Sequence, residues 1–148
     1  MKHRTTAGTI GYFTTQSGTR REFGRESFSM TQHPDGERTL RARCEIDAGV
    51  VAPRDVHREV TYTMDAAYRP IDCYNRLHAN GRFLGAGWIR FTDTVAECEA
   101  LSPTQGRISQ RVALERPARS LGAHPLSCDV LHCARFDHSA AARVQRQP

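Results

Sequence analysis

The clearest alternation of apolar and polar positions runs through RTLRARCEID, residues 38 to 47. Leu40, Ala42, Cys44 and Ile46 fall on one side of an extended chain, and Thr39, Arg41, Arg43 and Glu45 on the other. A period of two marks a half-buried strand, because successive side chains project to opposite faces. The preceding HPDGE holds Asp35-Gly36, read as the positive-φ residues of a hairpin turn. Upstream, REFGRESFSMTQ supplies the antiparallel partner, with Glu26, Phe28 and Met30 sharing a face.

The same period recurs further on. REVTYTMD groups Val60, Tyr62 and Met64, and a turn over Ala66 to Pro70 leads into IDCYNRLH. Asn80-Gly81 predicts a type I′ hairpin returning through FLGAGWIRF. TVAECEAL and GRISQRVAL follow, joined by the turn-rich SPTQG. Residues 95 to 101 are rich in helix-favouring Ala, Glu and Leu, but the neighbouring pattern predicts strand. The expectation is an all-β antiparallel meander with few or no long helices. Such a meander hides its edges by forming a barrel or a strongly bent half-barrel. ERPARSLGAHPL reads as an irregular loop. Residues 1–136 read as a single antiparallel β domain, and 137–148, lacking apolar alternation, as a flexible C-terminal tail.

Composition narrows the function classes. The chain has 148 residues, enough for one core, with 39% hydrophobic and 25% charged positions, which argues for a folded protein. Lys2 is the only lysine among 21 basic residues, and the net charge is +5. Guanidinium groups bind phosphate and carboxylate as planar forks. Here, though, the arginines are interspersed with acids, as in Glu22, Arg25, Glu26. Aromatics at 7% are too sparse for a base-stacking platform, so no nucleic-acid partner is expected. No stretch approaches a membrane span and no apolar leader follows the charged start, so no membrane partner is expected either. Cys44, Cys73, Cys98, Cys128 and Cys133 are odd in number and lack a disulfide framework, which predicts reduced thiols and a cytoplasmic location.

Two constellations could carry chemistry. HPLSCDVLHCARFDH, residues 124 to 138, concentrates potential metal ligands. His124, Cys128 and His132 would align on a helix, and zinc accepts imidazole nitrogen and thiolate sulfur. Pro125 biases His124 away from helical geometry, however, and no C-x2-C or H-E-x-x-H pattern accompanies them. On a strand the same ligands diverge. The reading is buried cysteines and solvated histidines, with no metal and no cofactor.

The second constellation survives the strand reading. In IDCYNRLH, Asp72, Tyr74, Arg76 and His78 share one face, opposite Ile71, Cys73, Asn75 and Leu77. Facing solvent, that row is an ordinary polar exterior. Facing the interior, it places an acid, a phenol, a guanidinium and an imidazole in a cavity where desolvation tunes proton transfer. Counting from Asn80-Gly81 pairs His78 with Phe83, which sets the row beside Phe83, Gly85, Gly87 and Ile89; a one-residue shift reverses this. His78, Asp72 and Tyr74 are the candidate catalytic groups. Tyr62, Arg76, Glu26, Phe83, Gly85 and Gly87 are the candidate ligand-binding positions, the glycines leaving room for a ligand or a bulky neighbour.

The succession REVTYTMD, RPIDCYNRLHANGRFLGAGWIRF and GRISQR resembles uncharacterised bacterial all-β proteins built as lipocalin-like or carrier-like barrels. The resemblance covers residues 20 to 115 and rests on strand pattern. It implies an apolar or aromatic small-molecule ligand, and, for some proteins of that shape, cofactor-independent lyase, isomerase or cyclase activity. The leading expectation is therefore a small-molecule-binding β-barrel. Its rivals are an acid–base enzyme using the same pocket and a structural β protein without one. Homo-oligomerisation through sheet edges would complete a barrel too short to close alone.

Overall fold

The computed structural model describes residues 2–122 and 125–133. Eight strands follow one another in chain order: β1 (Arg4–Gln16), β2 (Thr19–Gln32), β3 (Arg38–Ile46), β4 (Val56–Met64), β5 (Pro70–Ala79), β6 (Arg82–Phe91), β7 (Val95–Ser102) and β8 (Gly106–Ala113). A short helix, α1 (Leu126–Cys133), comes last. Every strand pairs antiparallel with its sequence neighbours, in the spatial order β1-β2-β3-β4-β5-β6-β7-β8. The all-β meander stands, and residues 95 to 101 are strand. The barrel does not close: β1 and β8 remain opposite edges of one open sheet, an arrangement compatible only with the half-barrel alternative. The expected C-terminal tail, 137–148, lies outside the described residues.

Turn chemistry sets the hairpins. Asn80 and Gly81 adopt φ of 48° and 69°, the paired positive values a type I′ turn demands. Of Asp35 and Gly36, only Gly36 has positive φ, at 93°. The His33 carbonyl accepts from Gly36 N–H at 3.0 Å, and His33 N–H donates to the Glu37 carbonyl at 2.8 Å. After β4, Asp65 organises its turn by accepting from the backbone N–H groups of Ala67 and Arg69, both at 2.8 Å.

The alternation read from β3 divides the whole sheet. Leu40, Ala42 and Cys44 are buried, as are their neighbours Val60, Tyr62 and Met64 on β4 and Cys73 on β5. Cross-strand pairs Met30–Leu40, Leu40–Tyr62 and Tyr62–Cys73 place these residues on one face. Helix α1 covers that face: Cys128 is fully buried in the same cluster, with Leu131, Leu121, Phe28, Met30 and Tyr68 packed around it. An eight-residue helix is marginal on its own, so α1 depends on this contact for its existence. The opposite face carries Arg41, Arg43, Glu59, Thr61, Tyr74 and Arg76 and is predominantly polar.

Candidate functional site

The β5–β6 hairpin decides where the candidate residues point. His78 pairs with Phe83, as turn counting predicts, but Leu77 then pairs with Gly85, Asn75 with Gly87 and Tyr74 with Trp88. A register shift follows His78–Phe83, with Leu84 as the extra residue on β6. The predicted grouping of the Asp72–His78 row with Gly85, Gly87 and Ile89 is therefore corrected. Those three positions lie on the opposite face, with Asn75, Leu77 and Cys73. Matching apolar with apolar residues across the pair outweighs turn counting, and a one-residue bulge reconciles the two.

The sheet thus separates the nine candidates. Asp72, Tyr74, Arg76, His78 and Phe83 stand on the polar outer face; Glu26, Tyr62, Gly85 and Gly87 stand on the helix-covered face. Tyr62 is a core residue with 2% of its surface exposed. The two glycines do not leave room for a ligand: a Cβ at Gly85 would lie 3.1 Å from the Leu101 carbonyl, and one at Gly87 3.3 Å from Ala100 Cβ. The neighbouring strand β7 occupies that space.

Glu26 has a definite structural task. It is fully buried, and its Oε2 accepts from Tyr12 Oη at 2.6 Å and from Leu126 N–H at 2.9 Å. Its Oε1 accepts from Ser127 N–H at 3.0 Å. Both oxygens are therefore engaged, two of the donors being backbone groups of the first turn of α1 that have no intrahelical partner. Burial, then the Glu26 hydrogen bond and the Cys44 thiol, hold the Tyr12 phenol far above its ordinary value. Cys44 Sγ donates to Tyr12 Oη at 3.7 Å. Burial also pushes the thiol of Cys73 up to about 11 and that of Cys128 up to about 12, so both are protonated, inert packing groups at neutral pH.

On the outer face, His78 stacks on His57 of β4, with ring centroids 5.7 Å apart and planes inclined by 29°. Phe83 lies 5.7 Å from His78 on its other side, and the Arg76 guanidinium sits 4.9 Å above the Phe83 ring. His57 Nε2 and His78 Nδ1 are buried atoms without a hydrogen-bond partner among the described residues. His57 is a residue that the sequence pattern did not single out; its pairing with His78 follows only from the β4–β5 register.

A recess of about 480 Å³ crosses the outer face of β2–β5, lined among others by Ser27, Ser29, Arg41, Arg43, Glu59, Thr61 and Tyr74. Arg43 is engaged with Glu45 at 2.6 Å. Arg41 has no carboxylate partner among the described residues. Tyr74, which lines the recess, and its cross-strand neighbour Trp88 are each 38% exposed. The recess, Tyr74, Trp88 and the histidine pair share a face, and Asp72 stands at its far end beside Arg90.

The potential metal ligands of residues 124 to 138 are only partly described. His124 lies outside the described residues, Cys128 is buried against the sheet, and among the described residues no group of three or more His, Cys, Asp or Glu is placed to hold a metal ion. Among them, too, no helix is long and apolar enough to cross a membrane. No family model, curated protein or solved structure matches this chain.

Proposed function

We propose that the chain is a small-molecule-binding protein whose ligand lies on the outer face of the sheet, across β2–β6, and not inside a barrel. The observation that carries this reading is Arg41: an arginine without a carboxylate partner among the described residues, lining a recess of about 480 Å³ together with Tyr74 and several hydroxyls. A guanidinium fork selects a carboxylate or phosphate, and the Tyr74–Trp88 pair offers a planar surface for an aromatic ring. The chemistry that fits both is a small aromatic carboxylate.

Trp88 is the only tryptophan and stands beside Tyr74, so its fluorescence reports occupancy directly. Titration with benzoate and larger aromatic carboxylates is expected to change Trp88 emission saturably. Arg41→Gln should weaken binding by roughly tenfold, the effect of losing one charge-assisted pair. Absence of a saturable change, or an unchanged Arg41→Gln response, rejects the assignment.

A second reading is favoured by the His57–His78 pair: His78 Nδ1 and His57 Nε2 are buried without a hydrogen-bond partner among the described residues, and Glu59 Oε1 lies 3.9 Å from His57 Nε2. Acid–base chemistry without a cofactor would use His78 as base, with Arg76 and Tyr74 steadying negative charge on the substrate. In that case His78→Ala abolishes turnover of the bound molecule and leaves its affinity within a few-fold. Pairing of copies along the edges is proposed through β1, whose Thr5–Gln16 stretch carries no charged residue to discourage it.

A further inference from the structure

A cluster of arginines lies away from the outer-face recess, at the end of the sheet where the β4–β5 turn meets the chain after β8. A cavity of about 340 Å³ there is lined by Ala67, Arg69, Arg116, Pro117 and Arg119. No carboxylate lines it. Three guanidinium-bearing residues come together from two segments almost fifty positions apart in sequence.

Both segments are held in place. Arg69 is fixed by Asp65, whose Oδ1 accepts the Arg69 N–H at 2.8 Å and whose Oδ2 accepts Arg69 Nε at 2.7 Å. Burial alone would raise the Asp65 carboxyl, but the N–H groups of Arg69 and Ala67 and the Arg69 guanidinium outweigh it and hold the carboxyl below its ordinary value. The later segment is tied at one end by Leu114 N–H donating to the Thr94 carbonyl at 2.8 Å. At the other end Leu121 packs against the core. Pro117 stiffens the backbone between Arg116 and Arg119.

Elsewhere on the sheet arginines stand against carboxylates: Arg90 and Arg111 on Glu97, and Arg107 on Glu99. Arg116 and Arg119 have no such partner among the described residues. Asp65 already offsets Arg69, but the charges of Arg116 and Arg119 are not offset in this way, and an oxyanion between them compensates both while filling planar forks shaped for it. A neighbouring cavity of about 150 Å³ shares Arg69 and Pro117 but is lined by Asp65 and Asp93. Those carboxylates bound the site on one side and limit the ligand to a compact anion.

We propose that Arg69, Arg116 and Arg119 form a binding site for a small soluble phosphate, either inorganic or the phosphate group of a compact molecule. The test is calorimetric titration of the full chain with pyrophosphate and with inorganic phosphate at low ionic strength, beside vesicles containing phosphatidic acid. Pyrophosphate is expected to bind one-to-one, weakening steeply with added salt. The double variant Arg116→Gln/Arg119→Gln should bind it at least about tenfold more weakly. Arg54→Gln, at an exposed arginine that lines neither recess, should bind it as the parent does, which separates this site from a general effect of positive charge. Urea unfolding of each variant checks that its fold is intact. No binding of pyrophosphate, equal binding by the double variant, or association with vesicles alone would overturn the proposal.

Discussion

Replacing Glu26 tests the link between the sheet and its only described helix. The carboxylate is fully buried and accepts three hydrogen bonds, from Tyr12 Oη and from the N–H groups of Leu126 and Ser127. Glu26→Ala strands all three donors in a site that water does not reach. Each unsatisfied buried group costs about 1–3 kcal/mol. Relaxation of α1 towards solvent relieves part of that, so the net loss should be about 3–5 kcal/mol. Glu26→Gln keeps one carbonyl oxygen but turns an NH2 group toward at least one donor, so about 2 kcal/mol is expected. The assay is urea unfolding combined with amide hydrogen exchange. Exchange protection over Leu126–Cys133 should fall first, while β3 and β4 retain theirs, because α1 is too short to persist undocked. If Glu26→Ala lies within about 0.5 kcal/mol of the parent, a shift typical of neutral surface changes, and α1 keeps its protection, the reasoning fails.

Three further outcomes follow from the same structure. Cys73 and Cys128, with thiols pushed up to about 11 and about 12 by burial, ionise less readily folded than unfolded. Their contribution is therefore complete below the ordinary thiol value and fades as pH rises from there through the folded values. Each thiol then gives up about 1.4 kcal/mol of stability for every pH unit climbed between the two. Urea midpoints should fall between pH 9 and 11, and Cys128→Ala should flatten that fall. Gly81→Ala, at φ of 69°, should cost about 1 kcal/mol in thermal or urea unfolding, because the left-handed conformation crowds a Cβ. Gly24→Ala should cost more, about 1–3 kcal/mol, since its Cβ would lie 2.6 Å from the Glu45 carbonyl oxygen and force two strands apart.

Much of the sheet was legible because period two is a strong signal wherever one face is buried. Leu40, Ala42 and Cys44 announced β3, and Asn80-Gly81 announced the β5–β6 turn. β1 was not read, since Thr and Gly dominate RTTAGTIGYFTTQ and an edge strand buries too little to impose alternation. α1 was obscured by its shortness and by Pro125 at its entry; its position depends on Glu26, a hundred residues earlier in the chain. The site was legible residue by residue but not as an assembly. Asp72, Tyr74, Arg76 and His78 do share a face, yet the bulge at Leu84 determines what stands beside them. A hint was present: the aliphatic side of β5, with Cys73 and Leu77, had to meet Ile89 and Phe91, and only one extra residue allows that. Arg41 and His57 join the outer face through strand registers that no single strand encodes.

The division of the sheet into a helix-covered face and an open, polar one rests on the β5–β6 register, and a two-dimensional NOE spectrum measures it directly. Cross-peaks between the Tyr74 ring and the Trp88 indole, together with His78 ring contacts to both His57 and Phe83, are the predicted result. Cross-peaks from the Tyr74 ring to the Ile89 methyl groups, with none to Trp88, would return the row to the covered face and contradict the account.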